Sequence, residues 1–257
     1  MRAANVLLSP GPCRSQTAGM IVERDVDCGL IYERLRRRLM ATVRSLDDDA
    51  LALTVPATPA WSVRDAVAHV IGVAHDLNAQ RFDTTDPDAW TARQVRERRE
   101  TAIDDLEVEW DHEAPRFEEG LRLLGYGVGS HFVGDLLQHV ADIHHAVGLE
   151  PIGDAEALVV GLDFYLDSCH QALVAHDRGS LGVQATDQPR DRWTLGAGRE
   201  VATLDATRYE LFRALGGRRS RRQIRAMAWT GDVDAVAGVL TSYPPPIHDL
   251  IETSATA

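Results

Sequence analysis

The sequence predicts a mainly α-helical protein with a small α+β domain at its C-terminal end. Three observations carry this reading. Apolar residues recur at helical spacing from about residue 31 to about residue 176. Beyond about 180 the pattern changes to short β-like runs, LGVQAT, RWTLGAG and EVATLDAT, with Asp187, Pro189 and Asp191 as turn residues. The length of 257 residues accommodates one large domain or two modest ones.

In order along the chain, residues 1–22 read as a disordered N-terminal extension. Their apolar stretch is too short for a signal peptide and is interrupted by Pro10 and Pro12, and Met20 is an alternative start. IYERLRRRLMATVRSL (31–46) has an apolar stripe and a basic outer face. A loop with Pro56 and Pro59 follows. Ser62 then opens a second helix, with Asp65 placed for a capping box in which Asp replaces the usual Glu. The segment 91–124 is charged and helical, with a break expected near Pro115. Gly125, Gly127 and Gly129 mark a loop before a helix at about 131–147, which Gly148 and Pro151 terminate. A further helix covers about 154–176. In the C-terminal part, TRYELFRALGGR reads as a helix ending at Gly216–Gly217, and DVDAVAGVL as a last short one. RRQIRAMAW fits a strand or a helix equally well. The domain division expected is therefore a helical bundle over 23–178 and an α+β domain over 180–257.

Composition excludes several functions. The net charge of −12 disfavours nucleic acid or an anionic membrane as partner. All 27 basic residues are Arg, which removes lysine Schiff-base and P-loop chemistry. Cys13, Cys28 and Cys169 form neither a CxxC pair nor a disulfide framework, so a cytoplasmic setting is expected. No apolar run approaches the ~18 residues of a membrane span. GxSxG, HExxH and Walker-type patterns are absent from the sequence.

One constellation stands out. On the helix around SVRDAVAHVIG, His69 sits at the edge of the arc formed by Ala66, Val70, Val73 and Leu77. On GDLLQHVADIHHAVG, His139 sits at the edge of the arc formed by Leu136, Val140, Ile143 and Val147. Asp135 is placed four residues before it, about 40° around the helix. Imidazoles and a carboxylate facing a bundle interior must be paired or metal-bound to offset desolvation. Two readings fit: core-edge histidines bonded to acids, or a three-ligand divalent metal site with an open fourth position. Asp142, three residues after His139, is placed to orient a ligand imidazole or to pair with an Arg. GRRSRRQIR (217–225) is the concentrated basic run, either a solvated face or an anion-recognising set of Arg forks.

The segments PAWSVRDAVAHVIGVAHD, DAWTARQVRERR, GDLLQHVADIHHAVG and GRRSRRQIRAMAWTGD together resemble the mycothiol-dependent maleylpyruvate isomerase family of actinobacteria, within the wider DinB-like metal-binding bundles. The resemblance covers about residues 25 to 240. It implies a DinB-like four-helix bundle holding a divalent metal, usually Zn, followed by a sterol-carrier-like α/β domain. It also implies His69, Asp135 and His139 as metal ligands, although the family usually has Glu where Asp135 stands. Arg218 and Arg225 are candidates for an Arg of the C-terminal domain implicated in isomerisation. The cofactor implied is mycothiol, its thiolate generated by the metal, with a small-molecule electrophile as the other partner. In an isomerase, thiolate addition to a cis double bond permits rotation, and elimination then releases the trans product; in an S-transferase the thiol stays attached. A metal-dependent hydrolase using activated water and a non-catalytic ligand-binding protein are the alternatives. The assembly expected is a monomer or a homodimer.

Overall fold

The computed structural model describes residues 22–83, 85–151 and 153–252, so the extension read over residues 1–22 lies, except for its last residue, outside the described part. The chain divides into two compact units, Asp25–Ala157 and Leu158–Ile251. Among the described residues no helix is long and apolar enough to cross a membrane.

The first unit is helical. Its elements are α1 (Cys28–Val43), α2 (Asp48–Leu51), α3 (Val63–Asn78), α4 (Pro87–Arg98), α5 (Ile103–Leu123) and α6 (Tyr126–Ala146). Helices α1, α3, α5 and α6 pack on one another as a four-helix bundle, and α4 packs on α3. Side-chain caps start several of them. Asp27, Asp47, Ser62 and Asp86 each accept from the backbone N–H three residues on, satisfying a donor the helix leaves open. The capping box of Ser62 and Asp65 is formed in both directions. The core is built from Ile31, Leu35 and Leu39 of α1, Ile71 of α3, Leu106 and Trp110 of α5, and Leu136 and Ile143 of α6, all buried. Tyr32 meets Phe117 edge-on at 5.0 Å between ring centroids.

Two boundaries differ from the periodicity reading. Helix α5 continues through Pro115, and the interruption falls instead between α4 and α5, at 99–102. Pro115 is on the exposed face of α5, where the carbonyl it leaves unpaired can face water. The opposite face, with Leu106, Trp110, Ala114, Phe117 and Leu121, is buried and holds the helix together. Helix α6 begins at Tyr126, so Gly127 and Gly129 belong to its first turn and not to a preceding loop. Gly129 serves close approach: a Cβ there would stand 2.5 Å from the Cβ of Cys28. Gly148 follows the C-cap of α6 with φ of 71°, the left-handed conformation expected there.

The second unit contains most of α7 (Ala155–Ala175), then β1 (Ser180–Ala185), β2 (Arg192–Gly196), β3 (Glu200–Ala206), α8 (Arg208–Leu215), α9 (Arg221–Arg225), β4 (Ala228–Gly231) and α10 (Val233–Val236). The strands form one sheet in the order β2-β1-β3-β4, with β1 and β3 parallel and the outer pairs antiparallel. The segment RRQIRAMAW is both helix and strand: a Ser220–Gln223 capping box starts α9, and the chain then re-enters the sheet as β4. The first turn of α7 groups with the first unit and the rest of the helix with the second. Contacts explain the grouping. The Tyr165 ring lies 5.5 Å from Phe212 and 6.4 Å from Tyr243, and His170 Nδ1 accepts the Gly196 N–H at 3.1 Å.

Candidate metal centre

The Ser62 capping box sets the phase of α3, so His69 stands two turns into it. The loop before it is tied by Val55 N–H donating to Trp61 O at 2.9 Å and Trp61 N–H donating to Thr58 O at 2.8 Å. This places the Trp61 ring 4.9 Å from the His69 ring and 5.9 Å from that of His139. Asp135 and His139 come from α6, and the two histidine rings meet at 4.9 Å and 75°. One donor atom from each of His69, Asp135 and His139 lies within 4.8 Å of the others. His139 Nε2 is 3.8 Å from Asp135 Oδ1, and its Nδ1 is 3.8 Å from Oδ2 of the fully buried Asp142. His69 Nδ1 is 2.8 Å from Gln94 Oε1. Both histidines are buried, whereas the Asp135 side chain is 22% exposed, which leaves the cluster open on that side.

The donor set suits a divalent ion: two imidazoles and one carboxylate, with the Trp61 ring beside both histidines. Three donors leave a position for an exogenous ligand. Other acids and imidazoles of these helices are engaged elsewhere. Asp65 is engaged as the N3 member of the capping box. His144 is buried, but its Nδ1 donates to Glu150 O at 2.6 Å. His75 pairs with Glu113 at 3.1 Å.

Arg218 and Arg225 belong to the second unit. Arg218 is buried, with Nη1 donating to Gly216 O at 3.1 Å; Arg225 is exposed and paired with Asp234. Arg219 forks onto Glu210 and Arg222 pairs with Asp249, so much of the basic run is already matched by carboxylates of its own unit.

Sequence reasoning passed over two groups that border the cluster. His131 is buried one turn before Asp135, and the 131/135/139 spacing would have revealed it. Burial lowers its pKa, opposed by the Asp135 charge. Tyr32 of α1 is the other; burial first, and then the Asp135 charge, push its hydroxyl well above the ordinary tyrosine value.

Both described cysteines are free and buried. Burial, aided by the charges of Asp27 and Glu156, pushes the Cys28 thiol up to about 11, and burial alone pushes Cys169 up to about 12. Both should therefore resist iodoacetamide at pH 8 in the native protein and react only after denaturation. Peptide mapping by mass spectrometry checks this, and native alkylation of either at the rate of a free cysteine would contradict it.

Residues 32–127 match the family model described as mycothiol maleylpyruvate isomerase N-terminal domain. The match takes in His69 and ends before Asp135 and His139. Two solved structures are similar to the chain: a mycothiol-dependent maleylpyruvate isomerase at 14% identity, and a His-to-Ala variant of that enzyme at 12%. Each has a TM-score of 0.46 over 74% of this chain and 88% of the other. No curated protein matches the sequence.

Proposed function

We propose, on the match of residues 32–127 to the mycothiol maleylpyruvate isomerase N-terminal domain family, that the protein is a divalent-metal- and thiol-dependent isomerase or S-transferase. Zinc is the proposed metal and mycothiol the proposed thiol. The observation that carries the reading is the convergence of His69, Asp135 and His139 within 4.8 Å.

A divalent ion held there would lower the pKa of a thiol bound at the open position, supplying thiolate near neutral pH. The chain's part is to hold that position ready. Two neutral imidazoles and one carboxylate offset only one of the ion's two charges, so attraction for an anionic sulfur remains. Asp142, behind His139, is placed to orient that ring. Trp61 supplies an apolar wall beside both histidines. Burial of the two described cysteines, Cys28 and Cys169, is consistent with a nucleophile supplied from outside.

The test combines metal content with thiol binding. Protein purified without added metal should carry about one Zn per chain, as expected for a single tetrahedral site. The Co-substituted protein should develop a sulfur-to-metal charge-transfer band when mycothiol is added. Metal content in His69→Ala equal to wild type would remove the site assignment. Turnover of an electrophile at equal rates with and without any thiol would replace the thiol-dependent reading with activated water.

A further inference from the structure

Behind His69 lies a polar chain that the three-ligand set does not use. Gln94 of α4 is fully buried, and its Oε1 faces His69 Nδ1 at 2.8 Å. Its Nε2 donates to Asp76 Oδ2 at 3.3 Å. Asp76 is fully buried, and the same oxygen accepts from Trp90 Nε1 at 2.7 Å and from Arg93 Nη2 at 3.1 Å. Arg81 Nε stands 3.8 Å from its other oxygen.

The chemistry of these groups leaves one consistent arrangement. A carboxylate beside two guanidinium groups can only accept, so the Gln94 amide must turn its NH2 to Asp76. Its carbonyl oxygen then faces His69, and Nδ1 must donate to it. The proton of a neutral His69 is thereby placed on Nδ1, and the lone pair on Nε2, the nitrogen left for a metal. We propose that Gln94 and Asp76 are positioning residues that lock His69 in the Nδ1–H tautomer, with Asp76 fixing the amide and the amide fixing the imidazole.

The backbone is shaped for this chain. His69 and Asp76 are seven residues apart, two turns along α3, so both lie on the face that meets α4. Gly72 lies between them. A Cβ there would stand 2.6 Å from Gln94 Cβ and 2.8 Å from its Cγ, so glycine is what lets Gln94 enter between the two. Trp90, Arg93 and Gln94 all belong to α4, so a single helix supplies the three side-chain donors to the Asp76 oxygen.

The proposal deepens the metal-site reading and rests on it for its consequence, but its first readout needs no metal. In 1H–15N spectra of 15N-labelled apo protein at pH 8, wild-type His69 should show a protonated Nδ1 and an unprotonated Nε2. In Gln94→Leu the tautomers should mix, and Zn affinity should fall about 10- to 100-fold, the usual cost of removing a partner that orients a ligand. The Gln94→Glu/Asp76→Asn double exchange restores an acceptor toward His69 and a donor at position 76. It should recover the wild-type tautomer and most of the affinity. Wild-type His69 in the Nε2–H form would overturn the proposal, and this readout decides even if Gln94→Leu does not fold. A folded Gln94→Leu protein with unchanged tautomer and affinity would also overturn it, as would a folded double exchange that recovers neither. A wild-type protein that shows the expected tautomer but binds no Zn would instead refute the metal site alone.

Discussion

His139→Ala is expected to weaken zinc binding by roughly 10²- to 10³-fold while the bundle stays folded. Structural zinc sites draw ~10–16 kcal/mol from four ligands, so one ligand is worth roughly 3–4 kcal/mol, and each 1.4 kcal/mol is a factor of ten. His139 stands between Asp135 and Asp142 on α6 and meets the His69 ring at 4.9 Å, so its loss removes one of the three donors that converge there. Competition against a chelator of known affinity gives the number, and circular dichroism shows whether the helices persist. Asp135→Glu is the informative partner experiment. The chain has the shorter acid at a position where the family resemblance expects Glu, and the Asp135 side chain is the partly exposed member of the cluster. Zn affinity should therefore stay within about tenfold of wild type, the lower end of what an orienting partner is worth. Unchanged affinity in His139→Ala, or complete loss of metal in a folded Asp135→Glu protein, would show that the ligands are not these.

The three proposed ligands were legible because local signals set their phase. Ser62 and Asp65 cap α3, which fixes where His69 points, and the four-residue spacing of Asp135 and His139 holds on any α-helix. What supports those ligands was not legible. Gln94 and Asp76 are polar residues on two different helices, and nothing in their spacing announces that they meet. Their contact depends on how closely α4 docks on α3, and that is decided by Gly72. Long-range packing also overrode local signals elsewhere. Pro115 reads as a helix breaker, yet a buried stripe on the far side of α5 keeps the helix continuous. Gly129 reads as loop, yet close contact with Cys28 requires the absence of a side chain there, inside α6. RRQIRAMAW changes from helix to strand within nine residues, too short a stretch for either periodicity to declare itself.

Arg36→Met is expected to cost the first unit about 3–5 kcal/mol at pH 8, the range seen when one partner of a buried ion pair is removed. Arg36 is buried on α1, where its Nε donates to Glu118 Oε1 at 3.1 Å and its Nη1 pairs with Asp111. Its guanidinium also lies 6.0 Å from the centroid of the buried Trp110 ring. Methionine retains much of the apolar stem, so the loss falls mainly on the charge. Glu118 is equally buried, and burial already raises its carboxyl above the ordinary value, with Arg36 as the main opposing influence. Without Arg36 the rise should be larger. A carboxyl whose folded pKa exceeds its unfolded one favours folding while protonated and loses that advantage as pH rises through the folded value. The deficit of Arg36→Met relative to wild type should therefore be smaller at pH 5 than at pH 8. Adding Glu118→Gln should recover part of it at pH 8 and little at pH 5, because the amide removes the stranded charge. Urea unfolding of the four proteins at both pH values measures this as a double-mutant cycle. Equal deficits at the two pH values, with no recovery from Glu118→Gln, would assign the role of Arg36 to its contact with Trp110 instead of its charge.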